Sequence, residues 1–372
     1  MRRLLRSPLW LALLLALADW ATGFSEPVAH IYWNNVYRNW PQQAPKSIVV
    51  VNVADISDQG AAGEARLIDL ARLSRPKNLY IDAKLHFDQS VSDDAKLRVA
   101  LEKLGNNATF VIRPISNNHF VEKDKFEIPD RSLIRDHQIV VSAWQDNFIW
   151  FAESAPYWVE IDGTRYPTFS TDLSGVHSGA QPLYYPDFSV DPATIPTISA
   201  RGLLDGRVPS AALAGKAVVL ESSAEDISLR YFGHGAVTPA AFDIAGAVAL
   251  GRPVNANLSG LALLALVFAL LYWGHASTDR RTKWLAYSFV LIALLPLPVL
   301  LRAMGLIAYP DVAMFCVGIF APIRIWQKRI KRVQHTSASG LPNMLALSNS
   351  TLPVGCDVVV ASVARYEEML AT

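Results

Sequence analysis

Between Leu258 and Ile323 the chain is almost continuously apolar. A helix crossing a hydrocarbon layer of about 30 Å needs roughly 20 apolar residues, since each advances it by about 1.5 Å. Leu258 to Trp273 and Trp284 to Leu301 carry no charge, and Tyr272, Trp273 and Trp284 supply aromatic residues suited to headgroup level. A third stretch, Gly305 to Ile323, contains Asp311 beside Tyr309 and Pro310, where an acid reads as a helix start at the interface rather than as a buried charge. The block, residues 257–323, therefore predicts three membrane passes folded back on one another.

Positive residues in short connections stay on the cytoplasmic side. The connection after the first pass carries Arg280, Arg281 and Lys283, and the segment after the third carries Arg324, Lys328, Arg329, Lys331 and Arg332. The opposite connection has only Arg302. The spacing thus predicts residues 25–256 outside and the basic linker, residues 324–336, inside.

At the other end, Arg2, Arg3 and Arg6 precede the apolar run Leu9 to Ala18, the layout of a secretory signal, with Ala16-Leu17-Ala18 similar to a cleavage site. The competing reading is an uncleaved anchor, residues 1–24, and either one exports the segment from residue 25 onward. A formal net charge of +1 over 372 residues gives no bulk field for nucleic acid. Only two cysteines occur, Cys316 and Cys356, so the exported segment is held by its own core and not by disulfides.

That exported segment reads as α/β with a mostly parallel sheet flanked by helices. Ser25 to Asn39 is a helical continuation of the anchor, ended by Pro41 and Pro45. Ile48 to Val53 is a β-branched run suited to a strand buried on both faces, Gly60 to Leu73 an amphipathic helix, and Asn78 to Ala83 a second strand. This order predicts a parallel crossover. Asp93 and Asp94 lead a helix from Ala95 to Leu104, where acids suit the positive end of the helix dipole. Phe110 to Ile112, Gln138 to Ala143, Tyr184 to Val190 and Lys216 to Leu220 are further strands, Asp162-Gly163 marks a hairpin turn, and Ile198 to Leu204 and Ala240 to Leu250 are helices.

This order of parts resembles the second class of CHASE domains, extracytoplasmic sensors of bacterial signalling proteins. Val49 to Ser57 (VVVNVADIS) is similar to that family's first strand with its trailing acid and serine, Leu79-Tyr80-Ile81-Asp82 to its second, and Asp93-Asp94 to its acidic helix start. Leu213 to Leu220 (LAGKAVVL) is similar to its L-x-G-K strand, and Thr238-Pro239 to the end of the sensor. The family's Trp-Pro element is missing, and Glu221 stands where a glycine is usual. The resemblance implies an uncleaved anchor, hence four transmembrane helices, and a bacterial inner-membrane location with both termini cytoplasmic and the sensor periplasmic or extracellular.

Further on, Ser339-Gly340-Leu341-Pro342-Asn343 resembles the T-G-L-P-N-R opening of GGDEF domains, and Val358 to Tyr366 their first strand. Ala364 replaces the usual metal-binding aspartate, Met344 the motif arginine and Thr336 a common aspartate. Residues 337–372 therefore read as the start of a truncated, degenerate domain of the cyclic di-GMP class, of a kind often followed by an EAL phosphodiesterase domain.

Residues that could carry chemistry are few. Gly233-His234-Gly235 reads as an ordinary turn, and Ser222 and Ser223 follow a strand without the G-x-S-x-G elbow of a hydrolase nucleophile. None of the eight histidines is paired at zinc-ligand spacing, and no cofactor is indicated. Asp55, Asp82, Glu225 and Asp226 fall just past the C-terminal ends of strands, where open α/β sheets bind ligands, and are the candidate sensory pocket. Ile323, Trp326, Ile330 and Val333 follow a/d spacing, which fits either a homodimer seam or a juxtamembrane helix on anionic lipid. With Asp311 they are the candidate transmission residues. The function expected is a receptor that passes an unknown extracytoplasmic stimulus, ligand or protein, through the membrane to a cyclic di-GMP output domain. The alternatives are a membrane-anchored interaction protein without output, and an exported enzyme dependent on the loop acids.

Overall fold

The computed structural model describes residues 7–85, 87, 90–105, 108–113, 138–146, 151–179, 181–222, 228–252 and 254–335, with side chains as far as residue 330. Helix α1 spans Pro8–Thr22 and α2 Glu26–Asn39; then come β1 (Ile48–Asn52), α3 (Gly60–Leu73), β2 (Asn78–Asp82), α4 (Val91–Glu102), β3 (Ala108–Ile112) and β4 (Gln138–Val141). After them the chain forms β5 (Gln145–Asp146), β6 (Ala152–Pro156), β7 (Trp158–Ile161), β8 (Thr164–Pro167), α5 (Phe169–Ser174), β9 (Leu183–Tyr184), β10 (Thr197–Ser199) and α6 (Ala200–Leu204). The last part holds β11 (Ala217–Glu221), β12 (Leu229–Tyr231), β13 (Gly235–Val237), α7 (Pro239–Leu250), β14 (Ala256–Leu258), α8 (Gly260–Ala276), α9 (Arg280–Leu294), α10 (Pro296–Ala303), β15 (Leu306–Ala308) and α11 (Asp311–His335).

The chain divides into two compact units, residues 13–316 and residues 1–12 with 317–372. In the first, six strands form one sheet in the order β10-β1-β11-β2-β3-β4, every pair parallel. Because side chains alternate along a strand, Val49, Val51, Leu79, Ile81, Val218 and Leu220 meet α3, α4 and α6 on one face. Val50, Tyr80 and Val219 meet α2, α5 and α7 on the other. A sheet covered on both faces requires continuous apolar strands, and β1, β3 and β11 have that character.

The parallel α/β reading of the sequence holds, with differences of local cause. Strand β11 sits between β1 and β2, so the crossover through α3 skips a position. Helix α4 starts earlier than the acids suggest, because the Ser90 hydroxyl accepts from the Asp93 amide (3.0 Å) as N-cap. Thr197–Ser199 is an edge strand, and only Ala200–Leu204 is helical, capped by Ser199. The segment after β9 is not a strand beyond Tyr184, since Pro186 has no donor and the Asp187 amide bonds the Ala245 carbonyl of α7 (3.0 Å). The β7–β8 hairpin turns at Asp162-Gly163 with φ of 50° and 77°, the left-handed pair of a type I′ turn.

Helix α2 is not a continuation of α1. The chain turns by 81° between them, through Gly23 at φ +69°, while the Asp19 carboxylate accepts from the Ser25 amide (2.8 Å) and hydroxyl (2.5 Å). Past the turn, Trp33 and Tyr37 of α2 are buried in the α/β core. Among the described residues no single helix is long and apolar enough to cross a membrane; two bent pairs, α1 with α2 and α9 with α10, reach the length and composition together. The α9–α10 break, 44°, falls where Pro296 and Pro298 remove two helix donors. Helix α8, 17 residues, extends about 26 Å.

In the smaller unit, Leu9, Ala12 and Phe320 are buried. Ile323, Trp326, Ile330 and Val333 all fall on the continuous helix α11, and Trp326 is 63% exposed. Residues 337–372 lie outside the described residues.

Candidate functional site

The C-terminal ends of β2, β3 and β11 bring two carboxyl groups to one guanidinium, with a third carboxyl from α7 in electrostatic reach. Asp82 closes β2, Glu221 closes β11 beside it in register, and Arg113 follows β3. Arg113 Nη2 donates to Asp82 Oδ2 and lies 3.5 Å from Glu221 Oε1. The third carboxyl, Asp243, comes from α7, where it receives hydroxyl hydrogen bonds from Ser142, just past β4, and from Ser170 of α5 (2.9 Å). Asp243 also lies within the electrostatic reach of Asp82 and Arg113.

These groups are out of water: Asp82 is 3%, Glu221 6% and Asp243 0% exposed. Removing a carboxylate from water disfavours its charged form. Burial pushes Asp82 up to about 6, partly offset by Arg113. It pushes Glu221 up to about 7, reinforced by the Asp82 charge, and Asp243 up to about 7 despite its serine donors. Among the described residues one guanidinium faces these three carboxyls, and burial raises the pKa of each of them.

Of the residues the sequence singles out, Asp82 belongs to this cluster. Asp55 does not: its carboxylate accepts from the Ser199 hydroxyl and the Arg201 amide (3.3 Å), securing the start of α6. Glu225 and Asp226 lie outside the described residues. Ser222 accepts weakly from the Lys84 amide (3.4 Å), and His234 stands in the β12–β13 turn, 3.6 Å from Asp191. Among the described residues no group of three or more potential metal ligands occurs.

Sequence reasoning missed Arg113 and Asp243 as site residues, and met Glu221 only as a departure from a family pattern. For Asp243 a signal existed: it is the single charge in Pro239–Leu250, and an ionisable group in an otherwise apolar buried helix calls for a partner.

A second constellation joins the α/β core to the helices after residue 258. Asp187, 0% exposed, receives Arg252, just past α7, and Arg302 of α10 at 3.2 Å. Arg302 also donates to the Pro186 carbonyl (2.7 Å), and Tyr231 to the Asp187 carbonyl (3.2 Å). Beside them Asn255 and Tyr185 exchange hydrogen bonds (2.9 and 3.1 Å), and β14 pairs with β15. Gly305 permits this approach: a Cβ there would stand 1.9 Å from the Val254 carbonyl oxygen.

Asp311 begins α11. Its Oδ2 lies 3.4 Å from the Ser25 hydroxyl, which also donates to Asp19, and its Oδ1 is buried without a partner among the described residues. Asp311 thus starts a helix, as the sequence suggests, but as a buried acid, 9% exposed. Compared with protein-family models, curated proteins and solved structures, the chain has no match.

Proposed function

We propose that this chain is the input portion of a bacterial inner-membrane receptor. In this reading residues 25–256 lie outside, α1 and the three apolar stretches of residues 257–323 cross the bilayer, and the helix through Ile323, Trp326, Ile330 and Val333 leads to a cyclic di-GMP output domain beginning at residue 337. A stimulus acts by favouring one arrangement of these parts over another, which requires different contacts in the two arrangements.

The observation that carries the reading is the buried ion network of Asp187 with Arg252 and Arg302. Arg302 is the only base in the connection that charge asymmetry places outside, and its partner belongs to the α/β unit. A displacement of the sheet and α7 is therefore delivered to the ends of α8 and α10 and not absorbed in a flexible linker.

Topology tests it. In a chain with Cys316 and Cys356 replaced by serine, Asp205→Cys on the exposed surface of the α/β unit is expected to react with a membrane-impermeant maleimide in intact spheroplasts. Lys328→Cys is expected to react only after lysis. Labelling of Lys328→Cys in intact cells, or protection of Asp205→Cys, sinks the receptor reading; correct sidedness without any effect of Asp311→Asn on output leaves a membrane-anchored binding protein.

A further inference from the structure

Helix α7 connects the two constellations. Its N-cap, Thr238, accepts from the Ala241 amide (3.2 Å) and hydrogen-bonds the Glu221 carboxyl. Asp243 follows in its second turn, and nine residues beyond Asp243, past the helix end, is Arg252, which meets Asp187. Apart from Val248 every residue of α7 is buried, so the helix moves only with its surroundings. Its crossing with α5 is tight: a Cβ on Gly246 would come within 2.5 Å of Ser170 Oγ, and Ser170 is the donor to Asp243.

Among the described residues, the charged and titratable groups in reach of Asp243 are Asp82, which ends β2, Arg113, which follows β3, and the Tyr184 phenol of β9, where burial raises its pKa and keeps it neutral. Glu221, which ends β11, joins them through Asp82 and Arg113. Ser142 and Ser170 are neutral hydroxyls that donate to a carboxylate or accept from a carboxylic acid. With all three carboxyls ionised, Arg113 is the one cation among the described residues beside them and balances a single charge, and like charges repel strongly in a buried site.

We propose that the stimulus read here is proton activity: protons retained among Asp82, Glu221 and Asp243 keep α7 seated on the sheet, and their release loosens α7 together with the Arg252 end that meets Asp187 and Arg302. The output of such a switch rests on the receptor reading above; the switch itself does not. It works with no diffusible ligand but the proton. Burial of Glu221 and Asp243 sets the transition close to neutrality, with α7 held below that pH and released above it.

Hydrogen exchange by mass spectrometry on the full chain in lipid nanodiscs tests it. Protection factors, which divide out the base-catalysed intrinsic rate, are compared at pH 5.5 and pH 8 for peptides covering 239–250 and 60–73. The expected result is about a tenfold loss of protection in 239–250 at pH 8, the factor carried by one pK unit, with 60–73 unchanged. Asp243→Asn, which cannot ionise, is expected to abolish most of that loss, and Glu221→Gln part of it. Equal protection of 239–250 at both pH values in the native chain overturns the proposal, as does an undiminished pH response in both variants. If the cysteine labelling places the α/β unit inside the cell, the receptor reading falls while the exchange result still decides the switch.

Discussion

Two buried ionic constellations among the described residues have opposite imbalances. At the sheet edge three carboxyls share one arginine; at the junction two arginines share one aspartate. The excess decides how each responds to solution conditions. Arginine keeps its charge at any pH a protein meets, so the surplus at the junction is permanent and must be held by fixed acceptors, which the Pro186 carbonyl supplies. Carboxyls dispose of a surplus by taking up protons, so the sheet edge is balanced only within a pH range. One site is built to hold and the other to change, and α7 runs between them.

The most damaging way to break this contrast is at Asp187. Asp187→Asn leaves two guanidinium groups facing each other without a carboxylate, a loss of about 3–5 kcal/mol for a buried pair deprived of one partner. The expected result is a large drop in the thermal midpoint of the detergent-solubilised chain, of similar size at pH 5.5 and pH 8. A drop confined to one pH would place a titrating group in the junction and erase the distinction.

Second in size is Asp243→Asn, whose effect is expected to change sign with pH. Because the Asp243 pKa is raised from 3.8 to about 7 in the fold, the native state holds a proton that the unfolded chain gives up. Its contribution is fully present below the unfolded value and is lost as pH rises through about 7. Three pK units bound that loss at about 4 kcal/mol. The amide replacement, with poorer hydrogen bonding to Ser142 and Ser170, is expected to cost about 1 kcal/mol at pH 5 and to be more stable than the native chain at pH 8. Parallel stability curves for the two proteins would show that Asp243 does not titrate between those values.

What the sequence discloses about these sites follows physical lines. The strands β1, β2 and β11 and the helix α3 are legible because burial on two faces or on one stripe leaves a period in the residues, and the I′ turn because only Asp-Gly and its kin accept two positive φ angles. Asp82 is legible as a candidate because strand ends in parallel sheets are where side chains converge. Arg113 and Asp187 are not, since their meaning lies in partners 108 and 65 residues away, and no local period records a long-range pair. The placement of β11 between β1 and β2 is hidden for the same reason: strand order is set by packing over the whole sheet. Hydropathy also merges what the fold separates, as the bend at Pro296 and the turn at Gly23 show.

The smallest expected effect sharpens the contrast by control. Asp55 shares the sheet edge with Asp82 but is partly solvated, and its oxygens already accept from Ser199 and Arg201. Replacement removes hydrogen bonds at the start of α6 and leaves the acids around Arg113 untouched. Asp55→Asn is expected to cost about 1 kcal/mol, to loosen the start of α6 in hydrogen exchange, and to leave the pH response of residues 239–250 as it is in the native chain. An altered response there would mean that the whole edge titrates as one body. An unaltered one confines the proton-sensitive charge to the acids gathered around Arg113, where among the described residues the carboxyls outnumber the cations.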